Sequence, residues 1–180
     1  MVKKLSRFGE WFEIILVALV IAFFVEKFVF GFAVVQGQSM EPTLKNKDRL
    51  FVFKCAYLFQ QPQVGDLIIF TPPGNHGNGQ LFVKRIVADE EDYFALKEGT
   101  LYRNDEEIKE EYINSEGYID RVYPYLQGIV PEKAVFVMGD NRNDSNDSRN
   151  FGFLDTDRIK GRVLFRVWPL DELRLFIHQH

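Results

Sequence analysis

From Ile14 to Val25 the chain reads IILVALVIAFFV, twelve residues without a charge, and the wider stretch from Trp11 to Val35 carries only Glu13, Glu26 and Lys27. No other feature limits the fold as tightly, because an apolar run this dense must be buried in protein, buried in lipid or removed. Twelve helical residues rise about 18 Å, short of the ~30 Å hydrocarbon layer, whereas a helix over residues 11–30 rises about 30 Å if its terminal charges reach the headgroups. One transmembrane helix over residues 11–30 therefore fits, with Trp11 at an interface. Gly31-Phe32-Ala33 also has the small-x-small form of a processing site, so a cleaved leader competes with the anchor, and a buried core helix is a third reading. Glu10 and Glu13 are out of place in a basic leader and favour a retained anchor. Lys3, Lys4 and Arg7 precede the run. By the positive-inside rule they keep residues 1–10 cytoplasmic and residues 31–180 outside, in a single-pass protein of the cell membrane.

Past the run the pattern changes to short stretches rich in Val, Ile and Phe, separated by Gly, Pro, Asn and Asp. Arg49–Lys54, Asp66–Phe70, Leu81–Val87, Tyr93–Leu96, Ala134–Met138 and Arg162–Trp168 are six expected strands. Leu101–Ile108 has Asn104-Asp105 at its centre, the signal of a tight hairpin. The fold class expected is mainly β: an antiparallel sheet forming the main domain, preceded by one N-terminal transmembrane helix. A total of 180 residues leaves room for one sizeable core and a small insertion. Asp89 to Asp120 holds 12 acidic and 3 basic residues, which marks a peripheral, solvated insertion at about 89–132. The whole chain carries −4, so a nucleic-acid partner is not expected. A single cysteine, Cys55, rules out an intramolecular disulfide and a Cys-based zinc site, and its apolar surroundings suggest a small core residue.

Candidate chemistry does not start from histidine. His76 lies in a Gly/Asn-rich loop without a nearby acid, and His178 and His180 are at the C-terminus, so a Ser/His/Asp triad is not favoured. Asp144, Asn146 and Ser148 have the spacing of a calcium loop, but Arg149 occupies the position that needs glycine. Neither a metal nor a cofactor is expected. Gly37-Gln38-Ser39-Met40-Glu41-Pro42 is different: glycine permits a sharp turn and proline stiffens the end of the segment, which presents Ser39 in a rigid exposed loop. A serine hydroxyl needs a base, and without histidine that means a lysine or a carboxylate. In Leu81–Val87, alternation places Lys84 on one face with Phe82 and Ile86, and Arg85 on the other. Burial of that first face would lower the Lys84 pKa toward neutrality. The competing reading is a snorkelling lysine on an edge strand.

Ser39-Met40-x-Pro42-Thr43-Leu44, the strand Val83-Lys84-Arg85-Ile86 and the box Gly139-Asp140-Asn141-Arg142 … Asp147-Ser148-Arg149, in that order after one apolar segment, resemble type I signal peptidase, in its compact single-anchor bacterial form. The resemblance runs from residue 1 to about 168. It implies a membrane-bound serine endopeptidase that removes signal peptides from exported preproteins through an acyl-enzyme. Its implied partners are preprotein signal peptides and membrane lipid, with the export machinery as a candidate. Ser39 matches the nucleophile and Lys84 the general base, the pair that the residues themselves suggested. Ser145 matches a serine that orients the lysine, Asp147 and Arg149 a structural ion pair, and Gly139 a position where a side chain would crowd the lysine. Asp140 is a candidate partner for Arg85.

Some members of that family carry a serine two residues before the nucleophile, and its hydroxyl donates to the oxyanion. Here Gly37 stands there, which leaves the backbone N–H of Ser39 as the evident donor. The extended segment Phe32–Gln38 and the strand Leu81–Lys84 could pair with a substrate peptide on either side. Val35, Met40 and Val83 would then line shallow pockets suited to the small residues of an Ala-x-Ala site. Two alternatives stay open: another Ser/Lys protease, and a catalytically silent membrane-anchored binding protein of the same fold.

Overall fold

A computed structural model describes residues 2–77, 79–113 and 123–176, with side chains from Glu10 onward. The chain opens with helix α1 (Val2–Phe24), continues through one wide helical turn at Val25–Val29 and enters strand β1 (Phe30–Val34) directly. Phe30, expected as the end of a helix, is thus the first strand residue, because the apolar run carries no period that separates helix from strand. Among the described residues no helix is long and apolar enough to cross a membrane. From Glu10 to Phe24 a helix rises about 22 Å, below the ~30 Å of the hydrocarbon layer. Apart from Glu10 and Glu13 those residues are nevertheless apolar, and the helix exposes them, from Trp11 and Phe12 to Phe23 and Phe24.

The carbonyls at the end of the helical segment need donors, and the sheet supplies them. Lys54 Nζ donates to Glu26 O and Lys27 O, each at 3.0 Å. The Lys54 N–H reaches Val29 O at 2.8 Å, and Cys55 Sγ reaches Phe28 O at 3.1 Å. Cys55 is therefore a half-buried donor at the helix–sheet joint rather than the core residue expected of it.

Strands β2 (Arg49–Phe53), β3 (Leu67–Phe70), β4 (Phe82–Ala88), β5 (Tyr93–Lys97), β6 (Thr100–Arg103), β7 (Glu106–Glu107), β8 (Gln127–Ile129), β9 (Ala134–Met138), β10 (Leu154–Asp155), β11 (Ile159–Trp168) and β12 (Arg174–Leu175) follow, with the one-turn helix α2 (Ser148–Phe151) before β10. They form two antiparallel sheets. The larger runs β1-β2-β11-β3-β4-β9-β10 with β12 added to β11, and the smaller runs β7-β6-β5-β8. All six expected strands are present within a few residues of their expected ends. Asn104 and Asp105 both take positive φ, as a tight hairpin of this kind demands.

Three apolar clusters hold the sheets. Val35, Met40, Leu44, Leu50, Val52, Leu67, Ile69 and Val163 fill the first, beneath the loop that follows β1. Ile68, Phe70, Ile86, Val135, Val137 and Leu154 fill the second. Val87, Phe94, Leu101, Phe136 and Met138 belong to the third, which joins the smaller sheet to β9. The acidic segment is thus anchored through its own apolar face. It is also not wholly solvated: Glu110 is buried against Arg142, with 3% of each side chain exposed.

Candidate active site

The loop after β1 is closed at its base, where Val35 N–H donates to Asp48 O and Lys47 N–H returns to Val35 O, both at 2.9 Å. Within it Gly37 takes φ +90°, and a β-carbon there would touch nothing within 4 Å. Backbone conformation rather than crowding therefore favours glycine at 37. The next residues turn back on themselves, Glu41 N–H donating to Gln38 O at 3.0 Å, and this turn presents Ser39 half-buried at the surface.

Lys84 comes to the same place from β4. Strand pairing sets it opposite Ile68 of β3, and its side chain is 3% exposed. Nζ lies 2.6 Å from Ser39 Oγ and 5.2 Å from the centre of the Phe82 ring. No carboxylate among the described residues is within ion-pair distance of it. Burial is the dominant influence and lowers the Lys84 pKa from 10.5 to about 8, against the opposing pull of Asp147, Asp140 and Asp144. A serine hydroxyl hydrogen-bonded to an amine that loses its proton near pH 8 is an arrangement chemically able to supply a nucleophile and its base.

The segment after β9 wraps this pair. Asp147 caps α2, accepting from Arg149 N–H at 3.2 Å, and takes Arg149 Nε at 2.8 Å and Gly139 N–H at 3.0 Å. Burial alone would raise its pKa, but Arg149 and these donors hold the carboxyl below the usual range. Both side chains of this ion pair are fully buried. Arg85 points away from Lys84 and forms a two-pronged pair with Asp140, Nε to Oδ1 at 2.9 Å and Nη2 to Oδ2 at 2.8 Å. Its guanidinium also stacks 3.9 Å from the Tyr112 ring centre.

Two expected details differ. Ser145 Oγ is buried without a hydrogen-bond partner of acceptable geometry among the described residues, Lys84 included, although it lies near enough to Asp147 to favour that carboxylate's charge. A β-carbon on Gly139 would run into Ser145 Oγ and Ser39 O. The nearest atoms that glycine spares there belong to Ser145 and to the Ser39 carbonyl.

A groove of about 490 Å³ runs past Ser39 and Lys84 between the segment Phe32–Gln36 and the segment Gln80–Lys84. The outer edge of β1 pairs with no strand among the described residues, and β4 pairs with β9 only from Arg85 onward. Both banks therefore present strand edges. Val35 and Val83 line the groove, whereas Met40 is turned into the core beneath, 1% exposed. Gln36 and Leu81, from the two segments expected to pair with a substrate, also face it, and so do Gln80 and Asn146, polar residues that give no signal in the sequence. His76 packs instead against the Phe151 ring, and His178 and His180 lie outside the described residues.

Residues 8–168 match the family described as signal peptidase, peptidase S26. The chain belongs to that family. A probable signal peptidase I-1 of Synechocystis is 41% identical over 165 residues, covering 89% of this chain and 82% of that protein. Signal peptidase I of Bacillus licheniformis is 37% identical over 179 residues, covering 96% and 94%. A solved signal peptidase I from Enterococcus faecalis is 31% identical and covers 57% of this chain and 97% of its own, with a TM-score of 0.49. Within the peptidase S26 family match fall all three boxes and the whole groove, so the pairing of Ser39 with Lys84 sits inside the shared region.

Proposed function

We propose that this peptidase S26 member removes signal peptides from exported preproteins as a membrane-anchored serine endopeptidase, with Ser39 as nucleophile and Lys84 as general base. The observation that carries the assignment of roles is the 2.6 Å approach to Ser39 Oγ by Nζ of a buried lysine, with no carboxylate among the described residues at ion-pair distance. Neutral Lys84 takes the hydroxyl proton as Ser39 Oγ attacks the scissile carbonyl and returns it to the leaving amine; water then hydrolyses the acyl-enzyme. Asp147 and Arg149 hold the surrounding backbone, with Ser145 and Gly139 packed between them and the nucleophile.

An extended substrate adds between the two strand edges, with main-chain bonds supplying affinity and Val35 and Val83 limiting side-chain size. The exposed surface from Ile14 to Phe24 fits a helix surrounded by lipid, since a helix apolar all round has no solvated face. With Lys3, Lys4 and Arg7 ahead of it, the N-terminus is cytoplasmic and the groove faces the outside of the membrane. The anchor then holds enzyme and signal peptide in the same layer and raises their effective concentration.

The test is turnover of a preprotein by the detergent-solubilised chain. Ser39→Ala and Lys84→Ala each lower the rate by at least about 10³-fold, with an unchanged circular dichroism spectrum. Normal turnover in either variant sinks the mechanism, whereas a parent chain that cleaves no preprotein leaves a silent binding protein as the reading.

A further inference from the structure

Asn141 touches the nucleophile turn twice. Its backbone N–H donates to Ser39 O at 3.1 Å, and its side-chain Nδ2 donates to Gln38 O at 3.1 Å. Gln38 O also accepts from Glu41 N–H, so both of its lone pairs are engaged. The Gln38–Ser39 peptide is trans, and in a planar trans peptide the C=O and N–H point in opposite directions. Fixing the Gln38 carbonyl against Asn141 and Glu41 therefore fixes the Ser39 N–H the other way. That N–H has no acceptor among the described residues, and Ser39 lines the groove. Asn141 is itself held from both sides. Asp140 is locked to Arg85, and Arg142 is locked to Glu110 and donates from Nε to Gly139 O at 3.2 Å.

We propose that Asn141 is a positioning residue for the oxyanion hole, pinning the Gln38 carbonyl so that the Ser39 N–H is aimed at the scissile carbonyl oxygen. The inference rests on the roles proposed for Ser39 and Lys84. As Ser39 Oγ bonds to the carbonyl carbon, the π pair of the C=O bond moves onto oxygen and the hydroxyl proton passes to Lys84 Nζ. The new oxyanion takes its hydrogen bond from the Ser39 N–H. Gly37 offers no side-chain donor, so the aim of this one backbone N–H carries more of the stabilisation than it would beside a serine at 37.

The full chain in detergent tests the inference with a peptide substrate and with a peptide aldehyde ending in alanine, whose adduct on Ser39 is tetrahedral and carries the oxyanion. Asn141→Ala removes the Nδ2 donor, and Asn141→Asp puts a carboxylate against the Gln38 carbonyl; both keep the backbone N–H. In each, kcat falls about ten- to hundredfold, short of the 10²–10³ that accompanies loss of a whole donor. KM and the pH midpoint of the rate stay as in the parent, while aldehyde affinity falls in step with kcat/KM. A role confined to folding would not link aldehyde affinity to kcat in this way. If Asn141→Asp fails to fold, Asn141→Ala decides alone. Parent-like kcat in Asn141→Ala overturns the inference, as does a loss of kcat with aldehyde affinity intact or a shifted pH midpoint, which would place Asn141 on Lys84 instead. Failure of the aldehyde to bind the parent chain would strike the Ser39–Lys84 reading itself, whatever Asn141 does.

Discussion

Lys84 and Arg85 are neighbours on β4, each 3% exposed, and the sheet treats the two cations in opposite ways. Lys84 faces apolar groups and a serine hydroxyl; Arg85 meets a carboxylate on both prongs, the Gly65 carbonyl and an aromatic ring. An arginine stays charged at any accessible pH, so its burial has to be matched by partners. A lysine has another outlet, because burial can shift its pKa and release the proton. The pleat of one strand thus places a titratable base on one side and a fixed charge on the other. The fixed charge holds Asp140, the residue just before the Asn141 that reaches the nucleophile turn. In the proposed mechanism the cation without a carboxylate does the proton transfer, while the cation with one holds the frame.

Breaking the frame has the largest expected effect on stability. Asp140→Ala leaves Arg85 charged and buried, which costs about 3–5 kcal/mol by analogy with other broken buried pairs. Urea unfolding of the chain in mild detergent measures the loss as a fall in midpoint at constant slope. Replacing both partners, Arg85→Met with Asp140→Leu, recovers most of that loss, because no buried charge is then left unpaired. If Asp140→Ala unfolds at the parent midpoint, water reaches Arg85 and the contrast with Lys84 fails.

The lysine side of the comparison is read by pH. Its pKa in the folded chain is about 8 against an ordinary 10.5, so the rate on a small peptide rises about tenfold per unit below pH 8 and levels off above about 9. Stability changes with the same sign. The folded chain binds the Lys84 proton less readily than the unfolded chain does, so charging the lysine is unfavourable below pH 8 and the penalty vanishes as pH rises toward 10.5. The gain across that window is about 3 kcal/mol. Lys84→Met, which has nothing to titrate, lacks this increment when the two stability curves are subtracted. A rate still climbing steeply above pH 10 would show that Lys84 is not desolvated.

These two side chains also mark what the sequence reveals. Period two along Leu81–Val87 separates Lys84 from Arg85, and Gly37 with Pro42 marks a stiff turn around Ser39, so both members of the pair are visible from local pattern. The six main strands are visible for the same reason, since alternating or apolar runs end at Gly, Pro or Asn. Contacts made across long stretches of chain are not. Glu110 and Arg142 are 32 residues apart, and Glu110 stands in an acidic segment whose composition reads as solvated. Asn141 has no signature of its own: its role depends on where the carbonyls of Gln38 and Ser39 come to lie. Composition misplaces Cys55 and Met40, because it treats any apolar run as interior and any neighbour of the nucleophile as a wall. The start of strand β1 is hidden because the apolar segment runs into it without a break, although the extended reading of Phe32–Gln38 covers its second half.

A third cation completes the series by having a partner without burial. Lys45 Nζ meets Glu172 Oε1 at 2.8 Å, with the side chains 56% and 34% exposed. Its hydrogen bond and charge interaction with Glu172 raise the lysine pKa, and the same contact lowers that of Glu172. Neither group is buried, however, and salt screens exposed charges over a length of about 8 Å at physiological ionic strength. Lys45→Ala is therefore expected to unfold at the parent temperature within experimental error, in low salt and in high. Glu172 retains Arg166, 3.2 Å away, as a second cation, so the turn that carries it stays attached. A thermal shift as large as that of Asp140→Ala would mean that pairing alone, without burial, decides the worth of a cation in this protein; the contrast between Lys84 and Arg85 would then have to be explained by their partners rather than by the loss of water around them.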